Sequence, residues 1–184
     1  PYLYLLNRLG KPTYKKYIET SPKLLYVIEC IKTVKKYHED KKEPVSGQVI
    51  YMDRGIQYFE LIKEYLVKEC GFADNEVGMI YSKGMSVDKK RMVQDSFLGR
   101  IYNDKKQEYE NLPDEKRLKI LIGSSSIREG MNLQKKSTVL YNCLIDWNPT
   151  DMQQLDGRIW RQGNEFENVR IAIPLMIDSI DIFM

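Results

Sequence analysis

Cysteine and histidine are scarce in this sequence: Cys30, Cys70 and Cys143 stand far apart, and His38 is the one histidine. With no CxxC pair and a single imidazole, a standard zinc cluster is excluded and no disulfide framework is indicated, which fits a reducing, cytoplasmic setting. Long apolar runs are missing as well. No stretch approaches the ~20 residues that a membrane span needs, and no signal peptide opens the chain, so no membrane partner is expected. Charge of one sign is not in excess either. The net charge is +3, so any nucleic-acid surface has to be a local patch. No internal repeat is visible. The chain opens on Pro1 and stops just after a strand-like segment, as expected of a piece of a longer polypeptide.

What is present is the composition of an ordinary globular domain: 184 residues, 42% hydrophobic and 30% charged. That length suffices for one domain with a full core. Residues 1–20, rich in tyrosine and lysine, lack a clean period and read as a connector from something upstream. Ser21-Pro22 then marks a helix start, with Leu24, Leu25, Ile28, Ile31 and Val34 forming one apolar stripe. From Gln48 onward the pattern alternates. Strands are expected over 48–52, 77–81, 119–122, 138–145 and 169–175, and helices over 56–69, 86–97 and 151–160. The charged stretch 105–116 reads as an exposed, loop-like insertion. Short apolar strands alternating with helices imply an α/β fold, a three-layer sandwich whose mainly parallel sheet carries helices on both faces. Several folds share that architecture.

Two segments carry chemistry. In Gln154-Leu-Asp-Gly157-Arg158-Ile-Trp-Arg161-Gln-Gly163, two arginines three residues apart share a helix face and can point into one cleft. A guanidinium suits phosphate because it offers several fixed donors and keeps its charge. An arbitrary arginine pair, however, more often makes surface ion pairs. The second segment, Ser124-Ser125-Ser126-Ile-Arg128-Glu129-Gly130-Met-Asn132, follows a strand. Hydroxyls and free amides at a strand's carboxyl end lie where open α/β sheets bind ligands. Gly130 permits close backbone approach or a positive φ. Serine-rich turns usually only cap helices. The thirteen tyrosines are read mainly as packing, and His38 is given no role.

The surroundings of these segments change the balance. Gln154-x-x-Gly157-Arg158-x-x-Arg161 resembles motif VI of superfamily 2 helicases. Asp146-Trp147-Asn148-Pro149, five residues before Gln154, resembles the WNP segment of the Swi/Snf-like branch, and Gly163 fills a matching glycine position. The serine string resembles motif V, with Arg128 standing where the family has a small residue. The stretch 48–53 resembles motif IV. Lys83-Gly84 followed by Arg91 and Phe97 resembles the family's G…R…F stretch, and Val169 to Asp181 resembles the closing strand and TIE segment.

The resemblance implies a RecA-like second lobe over 21–184, preceded by the 1–20 connector. It also implies roles. Arg161, the better candidate for an arginine finger, acts with Arg158 and Gln154 as catalytic residues. Gly130, Glu129, Asn132 and Gly157 lie on the nucleotide side. Ser124, Ser125, Ser82, Lys83, Asp53 and Arg54 face the nucleic-acid backbone.

No GxxxxGK[ST] loop occurs, nor any strand closing on the Asp-Glu pair that holds magnesium. A finger needs a phosphate cradle and a metal before it has a transition state to stabilise. The implied cofactors, ATP and Mg2+, are therefore expected mainly on a first RecA-like lobe of the same polypeptide. The implied partners are that lobe and DNA, with RNA as the second option. The isolated chain is expected to be inactive. The alternative is a degenerate lobe of the same fold that binds nucleic acid or a partner without catalysis. A free-standing α/β enzyme such as a nucleotide-sugar transferase finds no acid–base pair here. The Lys/Glu-rich, cysteine-poor composition points to a bacterial or mobile-element protein.

Overall fold

A computed structural model describes residues 10–144 and 148–177. In chain order the elements are α1 (Tyr14–Glu19), α2 (Pro22–Lys41), β1 (Gly47–Tyr51), α3 (Phe59–Cys70), β2 (Val77–Ile80) and α4 (Val87–Phe97). There follow β3 (Arg100–Asn103), β4 (Glu108–Asn111), β5 (Ile120–Gly123), α5 (Ser125–Arg128), β6 (Ser137–Asn142), α6 (Pro149–Asp156) and β7 (Arg170–Ala172). Five strands form a parallel sheet in the order β2-β5-β1-β6-β7, with β1 at the centre.

The central strands are rich in apolar residues, as in Val49-Ile50-Tyr51 and Ile120-Leu121-Ile122, because both faces of the sheet are covered. Alternate residues go to opposite layers. Ile50, Ile120, Ile122, Val139 and Tyr141 pack with Ile28 and Ile31 of α2 and with Phe59, Ile62 and Leu66 of α3. Val49, Tyr51, Leu121 and Leu140 pack on the other side with Phe97, Ile127, Leu155 and Ile159. This is the three-layer sandwich that the spacing implies.

Helix ends follow local chemistry. The Ser21 hydroxyl accepts from Leu24 N at 3.4 Å, Ser86 accepts from Lys89 N at 3.3 Å, and Asn148 accepts from Thr150 N at 3.1 Å. Gly71, at φ +69°, stops α3. Gly123 closes β5 under Ile127, where an added Cβ would lie 2.0 Å from the Ile127 Cδ1. A larger residue at 123 would force the buried Ile127 side chain to move.

Three expectations change. Stretch 105–116 is not all loop: β3 and β4 form an antiparallel hairpin pairing Tyr102 with Tyr109. The hairpin stands off the sheet, held by that ring pair at 5.2 Å and by Lys106–Glu110 at 2.8 Å. Cross-strand pairs of this kind need no buried face, so no apolar alternation marks it. The helix expected over 151–160 ends at Asp156, and the chain runs on in looser turns such as Arg158 N to Leu155 O at 3.0 Å. Gly157 weakens the helix there, and Leu133 N takes the Arg158 carbonyl at 3.0 Å. The fourth and fifth strands are shorter than expected, at 137–142 and 170–172. Within the opening stretch, α1 is capped by Thr13 and buries Tyr17 and Ile18. Asp146, Trp147 and the segment from Ser179 to Asp181 lie outside the described residues.

His38, given no role above, is 5% exposed. Its Nε2 bonds the Ser46 hydroxyl at 2.9 Å, which bonds Thr138 at 2.6 Å, so α2 is tied to the starts of β1 and β6. Burial lowers its pKa from the ordinary value, against the opposing pull of Glu43 3.7 Å from Nδ1. The unfolded chain therefore binds the proton first as pH falls. The stability this contributes is complete above about pH 6.5 and is lost as pH drops toward the lowered folded value. Denaturation between pH 7.5 and 5.5 should show a stability loss, at most about 1.4 kcal/mol per pH unit for one proton, that His38→Gln removes. A His38→Gln profile as steep as wild type would refute the assignment.

Candidate nucleotide and nucleic-acid interface

The carboxyl ends of β1, β2 and β5 sit side by side, and the segments leaving them bond to one another. Asp53, just after β1, accepts Ser125 N at 2.7 Å on one carboxylate oxygen and the Tyr51 hydroxyl at 3.3 Å on the other. Ser82, just after β2, shares a hydrogen bond with the Ser125 hydroxyl at 2.8 Å. Lys83 and Arg54 are exposed beside them. Ser124 N donates to the Ile80 carbonyl at 3.1 Å, which turns its side chain inward at 0% exposure.

Two of these residues are tied into the fold. Asp53 holds the start of α5 through the Ser125 amide, which positions the turn. Ser124 is buried, Ser125 is half-buried, and Ser82, Lys83 and Arg54 are exposed.

The second cluster lies at the other end of α5. The Arg158 guanidinium donates to the Arg128 carbonyl. Burial, and then the charge of Arg161, lower the Arg158 pKa from its ordinary value. Arg161 is exposed, and its Nη1 donates to the Asn132 side-chain oxygen at 2.7 Å. The Asn132 carbonyl in turn accepts from Gln94 of α4 at 3.0 Å. Glu129, Gly130 and Gln154 are exposed around this pair. Gly130 is not among the positive-φ glycines, and a Cβ there would meet nothing within 4 Å. The fold itself does not demand a glycine there, and the space over its backbone is open. At Gly157 a Cβ would make an ordinary 3.4 Å contact with the Gln153 carbonyl.

Spacing did not reveal three of these links. Asn132 holds Arg161 across 29 residues, Asp53 holds Ser125 across 72, and Arg128 pairs with Asp151 of α6 at 3.4 Å. Arg91, expected in the G…R…F stretch, donates to the Tyr109 hydroxyl at 2.7 Å and so braces the hairpin. Among the described residues no three metal-binding side chains converge.

Residues 26–163 match the family model of the helicase conserved C-terminal domain, a span holding every candidate residue from Asp53 to Arg161. The chain belongs to that family. This helicase C-terminal domain is similar in fold to the crystal structure of the C-terminal part of the Fun30 ATPase domain, at TM-score 0.63 and 20% identity. The match covers 97% of this chain and 47% of that one, so the domain spans about half the length of that structure. No curated protein matches it. Among the described residues no helix is long and apolar enough to cross a membrane.

Proposed function

We propose that this domain is the second motor lobe of an ATP-dependent DNA translocase of the Swi/Snf-like branch, working against a first RecA-like lobe of the same polypeptide. One observation carries the reading. The motif V-like and motif VI-like segments converge, with Arg161 on Asn132 and Arg158 on the Arg128 carbonyl, so two cations stand together at one open edge. When the lobes close on ATP, Arg161 and Arg158 reach its phosphates and stabilise the charge that develops during transfer, while Asn132 holds Arg161 in place. ATP and Mg2+ are cradled chiefly by the other lobe.

The Ser82, Ser125, Lys83 and Arg54 edge supplies a sequence-independent, salt-sensitive grip on the nucleic-acid backbone. Alternate closing and opening of the cleft turns that grip into movement along a strand. The cysteine-poor composition supports a cytoplasmic protein, and the Lys/Glu-rich balance a bacterial or mobile-element source.

The test is ATP hydrolysis by the full-length protein with duplex DNA, single-stranded DNA and RNA. DNA should stimulate turnover, less so as salt rises, while the isolated domain hydrolyses nothing. Greater stimulation by RNA would change the assigned substrate. Absence of turnover with every nucleic acid would replace the motor by a non-catalytic binding lobe, and robust turnover by the isolated domain would sink the two-lobe scheme.

A further inference from the structure

We propose that the Arg128–Asp151 ion pair is a positioning latch coupling the nucleic-acid edge of the domain to its arginine segment, an inference that rests on the motor-lobe reading above. α5 is a single turn, so its two ends are only about 5 Å apart. At its first residue, Ser125 is held by Asp53 at 2.7 Å and Ser82 at 2.8 Å, the contacts of the nucleic-acid edge. At its last residue, the Arg128 carbonyl receives Arg158. The Arg128 side chain reaches across to Asp151 at 3.4 Å, in the first turn of the helix that leads into Arg158 and Arg161.

The pair is half-shielded, with side chains 21% and 30% exposed, and it borders a small space lined by Tyr51, Asn142, Leu144 and Met152. Two charges held there interact more strongly than a solvated surface pair. A shift of α5, caused by a phosphate pressing on Ser82 and Ser125, is therefore carried into α6 by a charge pair as well as by the Arg158 hydrogen bond. This gives a task to the arginine that stands where the resembled motif has a small residue: a small side chain cannot reach α6.

The latch predicts a charge-reversal pattern in the full-length protein. Arg128→Asp and Asp151→Arg should each lower the ratio of nucleic-acid-stimulated to basal ATP turnover about tenfold, within the range of coupling between contacting residues. Basal turnover and nucleic-acid affinity should change by less than about twofold, and the double reversal should restore the ratio to within about threefold of wild type. Losses that multiply in the double variant overturn the latch, as does a parallel fall of basal and stimulated turnover, which marks a merely structural role. Should the reversals fail to fold, the milder pair decides: Arg128→Lys should keep the ratio and Arg128→Gln should lose it, and equal ratios overturn the proposal. Wild-type protein without stimulation would remove the motor reading and the latch together, whereas stimulated wild type with multiplicative losses removes the latch alone.

Discussion

Arg161→Ala in the full-length protein should lower nucleic-acid-stimulated ATP turnover about 10³-fold, the lower end of what an arginine finger supplies, with nucleotide binding nearly unchanged. Arg161 is exposed and its guanidinium is held at Asn132 by one hydrogen bond of 2.7 Å. Removing it leaves no buried donor or acceptor stranded, so the fold should not register the loss. The missing interaction belongs to the transition state, and kcat should fall much more than KM rises. Arg161→Lys should not rescue, because a point charge lacks the planar fork that meets several phosphate oxygens. Arg158→Ala is a less clean probe. It empties a half-buried site and removes the donor to the Arg128 carbonyl, mixing catalytic with structural loss. A stimulated rate within about fivefold of wild type for Arg161→Ala would exclude the finger role, since fingers are worth far more.

The sandwich was legible because parallel strands buried on both faces leave a strong signal. Val49-Ile50-Tyr51 and Ile120-Leu121-Ile122 are apolar at every position, and each run is followed by turn chemistry. The arginine segment and the serine turn were legible as strings for a different reason: their spacing resembles known motifs. What spacing does not encode is which string touches which. The Asp53–Ser125 and Arg161–Asn132 bonds join residues 72 and 29 positions apart and depend on β1, β5 and α6 being neighbours in space. Ser124 and Ser125 are alike in sequence, yet one is sealed and the other is half-buried with its hydroxyl bonded to Ser82, because α5 begins between them. The β3–β4 hairpin escaped notice because its strands bury no face. His38 escaped because its partners, Ser46 and Thr138, lie beyond the charged run that makes its surroundings look solvated.

The largest stability effect is expected from Arg117, at the amino ends of β1 and β5. Its sequence context, Asp-Glu-Lys-Arg, looks like a surface loop, yet the side chain is 2% exposed. Nε donates to Asp114 at 2.5 Å, Nη1 to the Leu118 carbonyl at 3.1 Å and Nη2 to the Val45 carbonyl at 2.5 Å. Val45 and Leu118 lie just ahead of β1 and β5, so one guanidinium clamps the starts of two adjacent strands. Burial alone would raise the Asp114 pKa, but bonding to Arg117 and the nearby Lys136 together hold it below its ordinary value.

Arg117→Met keeps the packing stem and removes every donor, stranding two buried carbonyls and half of an ion pair. The loss should be about 3 kcal/mol, the low end for breaking a buried pair, because Lys136 still reaches Asp114. For a domain of this size that lowers the melting temperature by roughly 6–12 °C. Asp114→Asn should cost less, since Arg117 would keep both carbonyls. Urea denaturation of the two variants decides: an Arg117→Met loss below about 1 kcal/mol, typical of an exposed pair, would mean that the clamp contributes no more than a surface contact. Because the clamp sits at the amino ends of β1 and β5 and Ser125 follows the carboxyl end of β5, Arg117→Met should unfold more readily while the folded fraction keeps its stimulated turnover, the converse of Arg161→Ala.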